Sequence, residues 1–299
     1  MIIALGAFDG FHRGHQRLLA HCRTLSEKRG EGWGVLRLHP HPALIASSDF
    51  SQLFTEDEKS FTLATSNVAS CPLPFDHHLQ ASEPEVFLEA LAHRYQATSF
   101  VVGDDFRFGH GRKGDVAFLR AWTAERGGVT LQVSSVIEEG ARVSSTLLRH
   151  LLAHGRVEDM RTYLGYPWFI RSLVKHGHGR GGSLGFPTVN LDIPEHKAMP
   201  AYGVYASQTL VGNSWWPSAT SWGINYTFDD ERPAFETTLI GYKGELYGQT
   251  LCVALTHYLR PMMWLPTVQA LKDRIAFDCE TSQLFAARCC LNGRRLLNF

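Results

Sequence analysis

Apolar residues run through the first half of the chain in two alternating rhythms. Residues 2–5 form a short continuous apolar run of strand type, after which Leu18, Leu19, Cys22 and Leu25 return at helical spacing. Residues 35–38 read as a second strand, and Pro84 opens a helix that carries Phe87, Leu88 and Leu91. Residues 99–102 read as a buried strand, Val116, Phe118, Leu119 and Trp122 as another helix, and residues 129–133 as a further strand. Repeated strand–helix units predict an α/β domain, a Rossmann-like parallel sheet with helices on both faces. A helical stretch from Thr146 to about Leu164, interrupted near Gly155, closes this half, and Gly165-Tyr166-Pro167 reads as a hinge. The boundary is therefore expected near residue 165, giving domains over residues 1–165 and 166–299.

Beyond residue 165 the rhythm changes to strands separated by turn signals. Residues 169–174, 203–210, 215–222, 235–240 and 249–259 predict an antiparallel β-barrel or sandwich. Pro266 then precedes an amphipathic helix expected to place Val268, Leu271 and Ile275 on one face.

The bulk numbers fit this division. A chain of 299 residues is about twice the usual length of one domain, and 44% hydrophobic with 19% charged residues is ordinary for a globular protein. Its 29 basic and 29 acidic residues cancel, so no global field favours nucleic acid or an anionic membrane; a bound polyanion must be held locally. Six cysteines lie scattered without a CxxC pair, which suits reduced thiols better than disulfides or zinc, and the adjacent Cys289 and Cys290 read as incidental. The N-terminus has no basic region followed by an apolar one, and nowhere do about 18 apolar residues run together. The expectation is a cytoplasmic enzyme with small-molecule substrates, no nucleic acid and no membrane partner; oligomeric state stays open.

The most informative stretch is Gly6-Ala7-Phe8-Asp9-Gly10-Phe11-His12-Arg13-Gly14-His15-Gln16, which directly follows a strand and directly precedes a helix. Gly6, Gly10 and Gly14 let the backbone turn and approach a ligand, and free amides at a helix start attract phosphate. His12 and His15 lie three apart on the first turn and can face the same phosphates, stabilising charge as a phosphoryl centre is attacked. The stretch is neither a Walker loop nor a GxGxxG fingerprint, and its histidine spacing is wrong for a zincin.

In its GxFDGxHxGH form this stretch resembles the HxGH nucleotidylyltransferase superfamily, and within it the prokaryotic bifunctional riboflavin kinase/FAD synthetase family. Further stretches match in order: Pro40-His41-Pro42, Pro74-Phe75-Asp76, Gly103-Asp104-Asp105-Phe106-Arg107-Phe108-Gly109, and Ser144-Ser145-Thr146 with Arg149. The resemblance implies that FMN phosphate attacks the α-phosphorus of MgATP, giving FAD and pyrophosphate. It implies an ATP site of Gly6, Phe8, Asp9, Gly10, Gly14, Ser145, Thr146 and Arg149, with catalytic His12 and His15. For the flavin it implies His41, Asp104, Asp105, Phe106, Arg107 and Phe108.

The second half carries Gly177-His178-Gly179-Arg180-Gly181-Gly182-Ser183-Leu184-Gly185-Phe186-Pro187-Thr188-Val189-Asn190, similar to the riboflavin kinase signature with its GFPTAN core. By that resemblance Thr188 and Asn190 help hold magnesium (Mg2+) and the ATP phosphates, as hard oxygen ligands suit that ion. Glu236 matches the family glutamate that serves as base for the riboflavin hydroxyl, its assignment supported by the neighbouring Gly244-Glu245-Leu246-Tyr247-Gly248.

Departures cluster here. Val189 replaces alanine beside the metal ligands and is expected to narrow the site; Gly182 stands where a basic residue is usual; residues 221–228 and 261–266 keep little of the family pattern. The leading expectation is a two-domain enzyme that phosphorylates riboflavin to FMN and adenylylates FMN to FAD. The alternatives are a FAD synthetase with a degenerate kinase-like domain, a non-catalytic flavin-binding regulator, and an HxGH transferase for another substrate.

Overall fold

The computed structural model describes residues 1–176, 185–225, 232–288 and 291. The glycine-rich stretch before Gly185, residues 177–184 with Gly182 included, lies outside the described residues, as do residues 226–228 and Cys289 and Cys290. Compactness divides the chain earlier than the hinge at residue 165: Met1–Ser145 forms one unit, and the second begins at Thr146.

The first unit is a parallel five-stranded sheet in the order β3-β2-β1-β4-β5. Its strands are β1 (Ile2–Ala4), β2 (Trp33–His39), β3 (Ala69–Pro74), β4 (Ser99–Gly103) and β5 (Thr130–Val133). Between them run α1 (Arg13–Arg29), α2 (Pro42–Ala46), α3 (Glu56–Thr65), α4 (His77–Ala81), α5 (Pro84–Tyr95) and α6 (Val116–Ala124). Side chains alternate along each strand, so Ile3, Phe100 and Val102 share one face. There they form a core with Phe87, Leu88 and Leu91 of α5 and Leu119 and Trp122 of α6. Leu18, Leu19 and Cys22 are the buried residues of α1, which packs on β1, β2 and β4. The chain winds to β2 and β3 on one side of β1 and to β4 and β5 on the other. The β1–α1 connection therefore opens at the point where strand order reverses, where such sheets bind ligands.

Two elements were hidden in the sequence. The strand β3 contains Pro72 and Pro74, residues that a central strand rejects, and it lies at the sheet edge, where they are tolerated. The helix α3 buries a mostly polar face of Glu58, Lys59, Thr62 and Leu63, so no hydrophobic stripe announces it. Its start is nonetheless written in Thr55 and Glu58, which form a complete capping box. A short hairpin, β6 (Ile137–Glu138) with β7 (Ala141–Arg142), ends the unit.

The second unit opens within α7 (Ser145–Ala153), and α8 (Val157–Leu164) follows after a break at Gly155 with its φ of 71°, as expected. A closed six-stranded barrel follows in the order β10-β11-β12-β9-β8-β13. Its strands are β8 (Phe169–Lys175), β9 (Thr188–Leu191), β10 (Gly203–Val211), β11 (Ser214–Gly223), β12 (Ala234–Leu239) and β13 (Thr250–Arg260). Its interior is partly hydroxylic: Ser207 bonds Ser218 at 2.8 Å and Thr220 at 2.7 Å, and Thr220 bonds Thr237 at 2.9 Å. These groups satisfy one another, which removes the cost of burying them.

The last helix, α9 (Val268–Arg288), corrects the expected face. Val268 is exposed and Ile275 half-buried, while Leu271, Asp278, Cys279 and Ser282 are buried. An aspartate enters the interior because Arg260 meets it with two nitrogens, at 3.0 and 2.6 Å, and Arg274 at 3.3 Å. Hydrophobic periodicity cannot see a face built around an ion pair. Among the described residues no helix is long and apolar enough to cross a membrane, and Cys22, Cys71, Cys252 and Cys279 are free thiols.

Candidate functional site

The loop between β1 and α1 is held in an unusual backbone path. Gly10 has φ 94°, and the non-glycine residues Phe8 and Phe11 have φ 48° and 36°. Such conformations cost about 1–3 kcal/mol each and persist only where the surroundings fix them. Here the two phenylalanines are fully buried, stacked at 5.8 Å, with Phe11 against Phe54 at 6.5 Å. Asp9 is buried as well: its carboxylate accepts from the Phe54 amide at 3.0 Å, and its carbonyl accepts from the Ser145 hydroxyl at 2.7 Å. Asp9 and Ser145, both expected at ATP, thus brace the loop through these groups.

The brace presents the two histidines. His12 is the N-cap of α1, its Nδ1 accepting from the His15 amide at 3.3 Å. That role keeps Nδ1 unprotonated and leaves Nε2 as the donor. The two rings stack at 3.7 Å with 14° between planes, and His15 leans on Phe8 at 5.0 Å. Gly14 leaves the space this needs, since a Cβ there would lie 3.1 Å from the His12 ring. Burial pushes His12 down to about 4, opposed by the nearby Asp9 carboxylate. Burial, then His12 and Lys59, push His15 well below the usual histidine range. Without ligand both rings are neutral donors, and a bound polyphosphate would favour their protonation.

In the second unit, register brings the other set together. Glu236 of β12 lies directly opposite Asn190 of β9, and Thr238 opposite Thr188. Opposed residues of an antiparallel pair project on one face with Cβ atoms about 5 Å apart. Thr188, Asn190 and Glu236 therefore share one face. Val189 lies opposite Thr237, whose hydroxyl belongs to the barrel interior. By strand alternation its methyl groups point away from Thr188 and Asn190, so the expected narrowing of the site does not arise.

These two constellations fall within two successive family matches. The FAD synthetase model covers residues 1–147 and the riboflavin kinase model residues 164–285. The chain belongs to the bifunctional riboflavin kinase/FMN adenylyltransferase family. The Escherichia coli K12 member of that name is 32% identical over 290 residues, which cover 95% of this chain and 92% of that one. The Listeria monocytogenes member is 27% identical over 292 residues, covering 96% and 93%. A crystal structure named as a macrolide-efflux protein from Streptococcus pneumoniae matches with a TM-score of 0.82 at 28% identity, over 94% of this chain and 93% of that one.

In this chain the flavin residues expected from sequence divide into two groups. Phe108 is buried among Phe87 at 5.6 Å, Phe106 at 5.5 Å and Phe118 at 6.0 Å, so it is a core residue and offers no free ring face. His41 is likewise buried, caps α2 by accepting from the Ala43 amide at 3.2 Å, and stacks on Phe50 at 4.9 Å. In contrast Asp104, Asp105 and Arg107 are exposed and Phe106 is partly so. Asp104 accepts from the amide and hydroxyl of Ser135, which hold its carboxyl below the usual range, and Arg142 lies 2.7 Å from Asp105. Phe8 turns inward, and its ring lies so close to Gly6 that a Cβ there would be 3.3 Å away. Thr146 and Arg149 stand on the first turns of α7, within the second compact unit.

Two cations escaped the sequence reading. Lys59 on α3 acts electrostatically on His15, and Arg142 on β7 acts on His12. Neither belongs to a phosphate-binding motif. The capping box that starts α3 was the one legible pointer to Lys59.

Proposed function

We propose that the chain makes FAD from riboflavin in two steps, each consuming MgATP. In the second unit the riboflavin hydroxyl attacks the γ-phosphorus of ATP, its proton passing to Glu236, to give FMN and ADP. In the first unit the FMN phosphate attacks the α-phosphorus of a second ATP, to give FAD and pyrophosphate. Family membership over both halves supports the pair of activities, and the single observation that carries the kinase step is the register opposing Glu236 to Asn190. A half-buried carboxylate beside hard oxygen donors suits a base next to a magnesium-bound phosphate. Thr188 and Asn190 would hold the magnesium ion, which supplies charge neutralisation to the phosphates.

In the first unit the chain's own groups do the work. His12 and His15 donate to oxygens of the α-phosphate and the departing pyrophosphate, where charge grows in the transition state. The loop backbone around Gly6, Gly10 and Gly14 admits the phosphates, and Asp105, Phe106 and Arg107 receive the flavin. We place both reactions in the cytoplasm, where the four described free thiols stay reduced. Incubation with riboflavin, ATP and magnesium, followed by chromatographic separation of flavins, tests the reading. FMN followed by FAD is expected; folded protein that leaves riboflavin unchanged and also fails to convert added FMN contradicts it.

A further inference from the structure

The Lys59 side chain is only 2% exposed, and among the described residues its sole hydrogen-bond partner is Glu56, at 2.8 Å. An ammonium carries three donors and is costly to bury unless they are met. Glu56 does not serve it alone. The same carboxylate lies 3.8 Å from Arg37 and 4.0 Å from His39, and Arg37 also donates to the Glu56 carbonyl at 3.3 Å. Two of the Lys59 donors are left over in a place closed to bulk water.

What lies near that place gives them a use. The segment leading into α3 is fastened to the HxGH loop by the Asp9–Phe54 bond and the Phe11–Phe54 contact. On the loop side, Nδ1 of His15 is buried without a partner. A lysine with open donors and an imidazole with an unpartnered nitrogen thus belong to two elements pinned together. An ordinary lysine–glutamate pair at i,i+3 would sit on the helix surface in water; this one is turned inward. The acidic groups nearby, Asp9 and Glu58, are engaged by the Phe54 and Thr55 amides.

We propose that Lys59 is a phosphate-positioning residue of the adenylyl-transfer site, its ammonium holding the pyrophosphate portion of ATP on the His15 side of the histidine pair. The inference rests on the first unit being the site of FMN adenylylation. Lys59 also helps to keep His15 neutral when no nucleotide is bound, so that the ring remains a stacked donor until phosphate arrives.

The test uses the full chain, with inorganic pyrophosphate as the calorimetric probe and riboflavin phosphorylation by the same molecule as the measure of intact fold. In Lys59→Met the pyrophosphate Kd and the ATP KM for adenylylation are expected to rise roughly tenfold to a hundredfold, the range of a lost charge-assisted hydrogen bond. Riboflavin phosphorylation should be unchanged, and Lys59→Arg should recover most of the loss. Unchanged pyrophosphate affinity in Lys59→Met overturns the proposal, as does an equal loss in the Arg and Met variants. If Lys59→Met does not fold, Glu56→Gln decides: it removes the negative charge that competes for the ammonium, so tighter pyrophosphate binding is expected, and unchanged or weaker binding overturns the idea. Wild-type protein that forms no FAD from FMN sinks the adenylylation reading itself, whereas FAD formation indifferent to Lys59→Met sinks only this inference.

Discussion

His12 and His15 form a stacked pair, and the smallest residue between them makes the stack possible. Alanine at position 14 would press a methyl group against the His12 ring, 3.1 Å away before any relaxation. Alanine also favours a helix over glycine by about 1 kcal/mol. Gly14→Ala is therefore expected to lower the rate of FAD formation about tenfold to a hundredfold, as misplaced catalytic groups do, without lowering the melting temperature. A kinetic assay beside a thermal melt checks both halves of that statement. The buried imidazoles also set a pH dependence. His12 titrates near 6.5 when unfolded and near 4 when folded, so between those values the unfolded chain binds the extra proton. This contribution to stability is present above pH 6.5 and is lost as pH falls toward 4; His15, shifted the same way, adds to it. Melts between pH 7 and 5 should show a falling midpoint whose slope is reduced in His12→Gln. The HxGH pair was legible in sequence because glycines and histidines at fixed spacing have few other uses. Lys59 was not, because a lone lysine on a helix reads as solvated until burial is known.

At the scale of elements, register decides what residue type leaves open. The sequence places Val189 between Thr188 and Asn190 and suggests crowding; strand pairing turns it to the opposite face, toward Thr237. Val189→Ala should leave the ATP KM of riboflavin phosphorylation unchanged and cost about 1–2 kcal/mol of stability through lost packing. Denaturant melts of the two proteins measure the cost, and a marked change in KM would contradict the placement. The regular βα rhythm and the five longest barrel strands were readable from periodicity alone. The strand β9 was not, since Thr188–Leu191 is four residues of mixed polarity, and such a segment becomes a strand only by closing a barrel between β8 and β12. The same reasoning covers β3, whose prolines fit only at an edge. In α9 the buried face depends on Asp278 meeting Arg260, a partner that lies 18 positions earlier in the chain and on another element.

The molecule as a whole joins two folds and carries no net charge. A phosphate site in such a chain would have to gather its own positive charge and donors, and in the first unit Arg142 and the buried Lys59 act on the histidine pair. Both units carry a family match, and each set of catalytic candidates belongs to its own unit, so the two reactions should be separable by single substitutions. Glu236→Gln is expected to abolish FMN formation from riboflavin yet still convert added FMN to FAD. The most direct measurement is the flavin product of His15→Ala supplied with riboflavin, ATP and magnesium. A protein that accumulates FMN, with FAD formation lowered about a hundredfold to a thousandfold as when an oxyanion-type donor is lost, agrees with the account. A His15→Ala protein that still makes FAD at the wild-type rate contradicts it.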